Sequence, residues 1–111
     1  MAFLQQTSLA QAFLLKYAKS FAEKDPTEFC RQLGTDAFKL TEQSRTELAK
    51  WFVEKEPWDL AENIQKFAIT DESIRIELAH RVAEKEPRML AWHIHNFAIA
   101  DESTRIELAH K

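Results

Sequence analysis

One glycine, one cysteine and three prolines are all that the 111 residues contain of the usual turn-makers and cross-linkers. With a single glycine the chain is poor in hairpin turns, and no glycine-rich run gives a nucleotide-binding signature. Cys30 stands alone, so no internal disulfide exists and a reducing compartment is indicated. Long apolar runs are missing as well. The first twenty residues have no early basic cluster, and their longest apolar run is Ala12 to Leu15, too short for a signal-peptide core or a membrane span. Nor is there an excess of positive charge. The formal net charge is −3 and the isoelectric point about 5.8, which supplies no field for a phosphate backbone or an acidic membrane surface, so neither nucleic acid nor membrane is an expected partner.

What remains is 45% apolar and 30% charged residues, the composition of one ordered, all-helical domain. Helical spacing predicts a first helix from Thr7 or Ser8 to about Lys24, with Leu14, Tyr17, Ala18, Phe21 and Ala22 inward. Asp25-Pro26 restarts the chain as a second helix over Phe29, Cys30 and Leu33. Gly34 is placed to end it in a left-handed turn, and Thr35 to Leu40 is a connector. Thr41 opens a third helix over Arg45, Leu48, Ala49, Phe52 and Val53, and Pro57 a fourth over Leu60, Ala61, Ile64 and Phe67. A fifth runs from Asp71 to Lys85, a sixth from Pro87 over Leu90, Ala91, Ile94 and Phe97, and a seventh from Asp101 to the last residue.

The third and fourth helices align with the fifth and sixth at an offset of thirty residues, and FAITDESIRIELAHRVAEKEPRMLAWHIHN is followed at once by FAIADESTRIELAHK. Leu48, Leu78 and Leu108 coincide, as do Ala49, Ala79 and Ala109, Leu60 and Leu90, Ile64 and Ile94, and Phe67 and Phe97. A fixed period of this length marks supersecondary units that bury their apolar faces only against neighbours. The expected fold is an all-α, right-handed αα-hairpin solenoid of about seven antiparallel helices, with units near 7–40, 41–69 and 70–99 and a half unit at 100–111. The first unit departs from the period, as a capping repeat does.

These residues resemble the α-helical hairpin repeats grouped with tetratricopeptide, pentatricopeptide and HEAT arrays, a likeness of architecture: the tetratricopeptide pattern of Trp, Leu-Gly and Tyr is absent from ELAHRVAEKEP. The string F-x-I-x-D-E-S-x-R-I-E-L-A is similar to divergent helical repeats in proteins of bacteria that live inside eukaryotic cells. That resemblance implies a scaffold or adaptor that binds protein, as the binding part of an effector acting on a host protein. It also implies a cytoplasmic location or delivery into a host cytosol. The alternatives are an RNA-binding array, disfavoured by the acidic balance, and a non-catalytic accessory part of an enzyme.

No residue pattern calls for catalysis, a cofactor or a metal. His93 and His95, two apart on a helix, point about 200° from one another and cannot chelate one ion as an i, i+4 pair could. His80 and His110 share a seat with Lys50 and Lys19, which marks it as solvated, and Cys30 shares one with Ala61 and Ala91, a small buried position. Arg45, Arg75 and Arg105 each lie three residues after Glu42, Glu72 or Glu102. A local ion pair is expected there, or else a ladder of arginines holding an acidic partner. The tryptophans say more. Trp51 aligns with Arg81, Trp58 with Arg88 and Trp92 with Glu62, so each occupies a seat that another unit fills with charge. Trp58, Trp92, Arg88, His95 and Trp51 are therefore the expected contacts with a protein partner, unless Phe3 and Leu4 cover Trp51. Self-association through the open C-terminal repeat face is a further expectation.

Overall fold

The computed structural model describes residues 8–35 and 38–109, with the side chains of Ser8 and Ala109 left aside. Among them are seven α-helices and no strand: α1 (Ser8–Lys24), α2 (Pro26–Gly34), α3 (Glu42–Lys55), α4 (Pro57–Asn63), α5 (Glu72–Lys85), α6 (Pro87–His93) and α7 (Glu102–Ala109). The chain is all-α. The expected Thr7 cap, the Phe3 and Leu4 cover and the His110 seat lie outside the described residues, as do the side chains of Ser8 and Ala109.

Local chemistry explains the boundaries. Single residues separate α1 from α2, α3 from α4 and α5 from α6, and in each case proline then takes the first helical position, where its missing N–H leaves no hydrogen bond unmade. Asp25 accepts from the Glu28 amide at 3.1 Å, Thr41 from the Ser44 amide at 3.2 Å and Asp71 from the Ser73 amide at 2.9 Å, each relieving an orphan donor of a helix N-terminus. The bonds that Ser73 gives to its carboxylate hold Asp71 below the usual aspartate range.

Helices one unit apart pack on one another. α1 meets α3, α3 meets α5 and α5 meets α7, while α2 meets α4 and α4 meets α6. The contact surfaces merge into one core with Phe29, Phe52, Phe67, Leu48, Leu60, Leu78, Leu90 and Phe97 almost fully buried. Its first half is aromatic: Phe29 stacks on Phe52 at 5.7 Å, and Phe52 meets Phe67 edge-on at 5.6 Å. The molecule measures 46 × 27 × 20 Å. No helix of the described residues is long and apolar enough to cross a membrane.

Several expectations need correction. Tyr17 is 60% exposed, and its neighbour Leu15 is buried instead. α1 is apolar around much of its circumference, so spacing alone does not select its inner face. Gly34 is not left-handed: it closes α2 with an ordinary backbone, and the positive-φ residues among those described are Lys39, Ala68 and Ala98. With so little glycine, alanine makes the tight turns. Each follows a short 3-10 segment, Ile64–Phe67 or Ile94–Phe97, into which the fourth and sixth helices tighten. Ala91 is exposed although Ala61, thirty residues earlier, is buried, because α4 has α6 beside it and α6 has no third such helix among the described residues. Ile94, only partly buried, shows the same difference from Ile64.

Candidate interaction surface

The arginines, too, depart from the expected pairing. Arg45 does not pair with Glu42. Its guanidinium donates to the carbonyls of Leu40 at 2.5 Å, Phe67 at 2.8 Å and Ala68 at 3.4 Å, tying the start of one unit to the left-handed turn at its end. Arg75 repeats part of this, donating to Ile69 O at 3.1 Å, with its Nε buried and without a partner. Arg105 is exposed. A row of free arginines facing an acidic partner is therefore not what this edge presents.

The glutamates reach forward instead. Glu42 accepts from the Thr70 hydroxyl at 2.9 Å, and Glu72 accepts from the Ala100 amide at 2.7 Å, in both cases 28 residues on. The same seat thus clasps each unit to the next. Further ties run alongside: Glu54 holds Arg81 and Lys85 at 3.1 Å each, Lys50 lies 3.8 Å from Glu77, and the Asn96 amide donates to Ala61 O at 3.3 Å. The lysine and arginine partners pull Glu54 below the usual carboxylate range.

Trp58 and Trp92 are 50% and 64% exposed. Trp58 stands one residue after Pro57 at the start of α4, and Trp92 near the end of α6, which packs beside α4. Superposing the two helices by their thirty-residue offset puts Trp92 at the Glu62 position, about one helical turn (about 6 Å) along from Trp58. Neither ring touches another ring among the described residues. Arg88, also exposed, precedes Trp92 by four residues and so shares its side of α6. His95 is exposed on the 3-10 segment that follows. Along the chain Trp58 is flanked by Lys55, Glu56, Asp59 and Glu62. Partial burial, and then the charges of Glu56 and Glu62, raise the Asp59 carboxyl. The surface thus carries two indoles among charges of both signs.

Trp51 does not belong to this group. It sits on α3, half-buried against the core, edge-on to Phe52 at 5.6 Å, and Lys19 of α1 lies over its ring at 5.9 Å. Its indole therefore joins the first unit to the second.

Cys30 is buried, and desolvation, with the Asp59 charge second, pushes its thiol up to about 12, far from a reactive thiolate. The His93 and His95 rings come within 6.5 Å, nearer than an unbroken α-helix would bring them, because the helix tightens at Ile94. His93 Nδ1 contacts the Asn96 amide at 3.2 Å, and no cluster of three metal-ligating side chains occurs among the described residues. A groove of about 520 Å³ between α1 and α3, half polar and half apolar, is lined by Gln11, Leu15, Lys16, Lys19, Ser44 and Glu47. Gln11 crosses its floor, donating to Lys39 O at 3.2 Å and accepting from the Thr41 amide at 2.9 Å.

Sequence reasoning missed Leu9, Phe13 and Tyr17, three large apolar side chains exposed on α1. Their i, i+4, i+8 spacing was the available signal. No family model, curated protein or solved structure matches this chain.

Proposed function

We propose that the chain is a right-handed αα-solenoid, with units at 7–40, 41–69, 70–99 and a half unit from 100, and that it serves as a protein-interaction module in a reducing compartment. The observation that carries this reading is the pair of exposed indoles, Trp58 and Trp92, on neighbouring helices at seats where the adjoining unit has Arg88 and Glu62. Leaving two indoles in water gives the folded chain nothing, whereas a desolvated tryptophan is among the strongest anchors of a protein interface. The clasps from Glu42, Glu72 and Asn96 support a rigid platform beneath them, so little ordering would oppose binding. Arg88, His95, Asp59 and Glu62, charged or polar groups of both signs around the indoles, would favour a partner segment that itself carries both signs. Trp51 and the Arg45, Arg75 and Arg105 edge have no part in this surface.

The test is affinity capture with the wild-type chain and with Trp58→Ala/Trp92→Ala, followed by titration of the captured protein once purified. Loss of one central aromatic anchor costs about 2 kcal/mol or more, roughly a thirtyfold rise in Kd. The reading predicts that loss with unchanged helicity and Tm. The RNA-binding alternative predicts retention on heparin or RNA at low salt, and the net charge of −3 argues against it.

A further inference from the structure

The two ends of the molecule are unlike in charge and alike in being apolar. At the C-terminal end Ala91, Ile94 and Ile106 line the side of α6 and α7 that no later helix covers among the described residues. Their counterparts thirty residues earlier are covered: Ala61 and Ile64 are buried, and Ile76 packs against the core. Ile106 is 52% exposed. These are seats shaped to receive one more helix. Glu102, one turn before Ile106, occupies the position from which Glu42 and Glu72 reach forward to the next unit, and it is exposed.

At the other end, α1 turns Leu9 and Phe13 outward in one stripe that continues to Tyr17, whose ring leans on Phe38 at 6.0 Å, and Phe13 is 67% exposed. The tie of Lys19 to Trp51 and the groove shared with α3 occupy a different side of this helix. Lys16 and Lys24, both exposed, flank the stripe. With Lys19 engaged over Trp51, the stripe side of α1 offers Lys16 and Lys24 against Glu23, while Asp101–Ala109 carries three acids against one arginine and α6 adds Arg88. An apolar stripe edged by Lys16 and Lys24 thus matches an apolar notch whose α7 side is acidic, the arrangement by which an amphipathic helix docks in a groove.

We propose that the occupant of the notch between α6 and α7 is α1 of a second copy of this chain, so that copies associate head to tail. Such a contact is heterologous, and an assembly of any number of copies keeps one open notch at one end and one open stripe at the other. The association adds copy after copy and does not stop at a pair.

Light scattering on the full chain from about 5 µM to about 500 µM tests this directly. The wild type is expected to rise in mass continuously past the dimer, and to do so less at high salt, which screens the flanking charges. Phe13→Glu blocks the stripe and Ile106→Lys blocks the notch. Both positions are exposed, and circular dichroism checks that each variant is folded. If Phe13→Glu loses helicity, Leu9→Glu on the same stripe replaces it. Each variant alone is expected to stay at 13.0 kDa, and an equimolar mixture, with one open notch and one open stripe, to form a pair and nothing larger. A wild type that remains monomeric over the whole range overturns the proposal. So does a folded single variant that still assembles, or a mixture that does not pair.

Discussion

Replacing Arg45 by alanine removes a guanidinium that donates to three backbone carbonyls, Leu40 O and Phe67 O at short range and Ala68 O at 3.4 Å. Hydrogen bonds from a charged donor contribute about 1.5–3 kcal/mol each, and the exposed bond to Ala68 adds little. The two part-buried bonds set an upper figure of about 3–6 kcal/mol, and water reaching the freed carbonyls recovers some of it, leaving about 2–3 kcal/mol. For a chain of this size that lowers Tm by about 10 °C. Arg75, with one bond to Ile69 O and an unpartnered Nε, should cost less, and exposed Arg105 no more than about 0.5 kcal/mol. Urea and thermal unfolding of the three alanine variants, followed by circular dichroism, give the order. Equal losses at Arg45 and Arg105 would refute the view that this seat ties a unit to its own terminal turn.

Other consequences follow from single positions. Gly34→Ala should stabilise by about 0.5–1 kcal/mol in urea unfolding, since its backbone is helical and an added Cβ meets only the flexible Lys66 side chain at 3.4 Å; a left-handed glycine would give the opposite sign. Leu78→Ala, at a fully buried seat, should cost about 2–5 kcal/mol in the same assay. Asp59 has its folded pKa raised by burial and by Glu56 and Glu62, so its contribution is fully present below the ordinary aspartate value of 3.8 and is lost as pH rises through the folded pKa. Asp59→Asn should therefore be more stable than wild type at pH 7, and the advantage should shrink on acidification. A variant less stable at pH 7 would show that the ionised carboxylate makes a compensating contact.

Much of the fold was legible because its signals are local. Asp25-Pro26, Glu56-Pro57 and Glu86-Pro87 mark the helix restarts, Thr41 and Asp71 the caps, and the thirty-residue recurrence of Leu, Ala, Ile and Phe the inner faces. What was not legible depended on choices between equal local options. Arg45 can reach Glu42 or the carbonyl of Phe67, and only packing brings the second within 2.8 Å. Glu42 and Glu72 look like partners for arginine until residues 28 positions on arrive beside them. The 3-10 ends at Ile64 and Ile94 have no distinctive residues, since they are set by the alanine turns that follow. Tyr17 was misplaced because α1 has two apolar sides, and Ala91 because alignment with Ala61 assumed a covering helix. Among the site residues, exposed Trp58 and Trp92 could be read from seats shared with charge. The same argument failed for Trp51, whose covering partner, Lys19, comes from another helix.

The account rests most heavily on the claim that Trp58 and Trp92 anchor a protein partner without holding the fold together. Calorimetric titration of the captured, purified partner into wild type and Trp58→Ala/Trp92→Ala, with Tm measured on the same samples, tests it most directly. The account predicts matching melting temperatures and a Kd weaker by about thirtyfold or more in the variant. An unfolded variant would make the indoles part of the core, and an unchanged Kd would move the interface elsewhere.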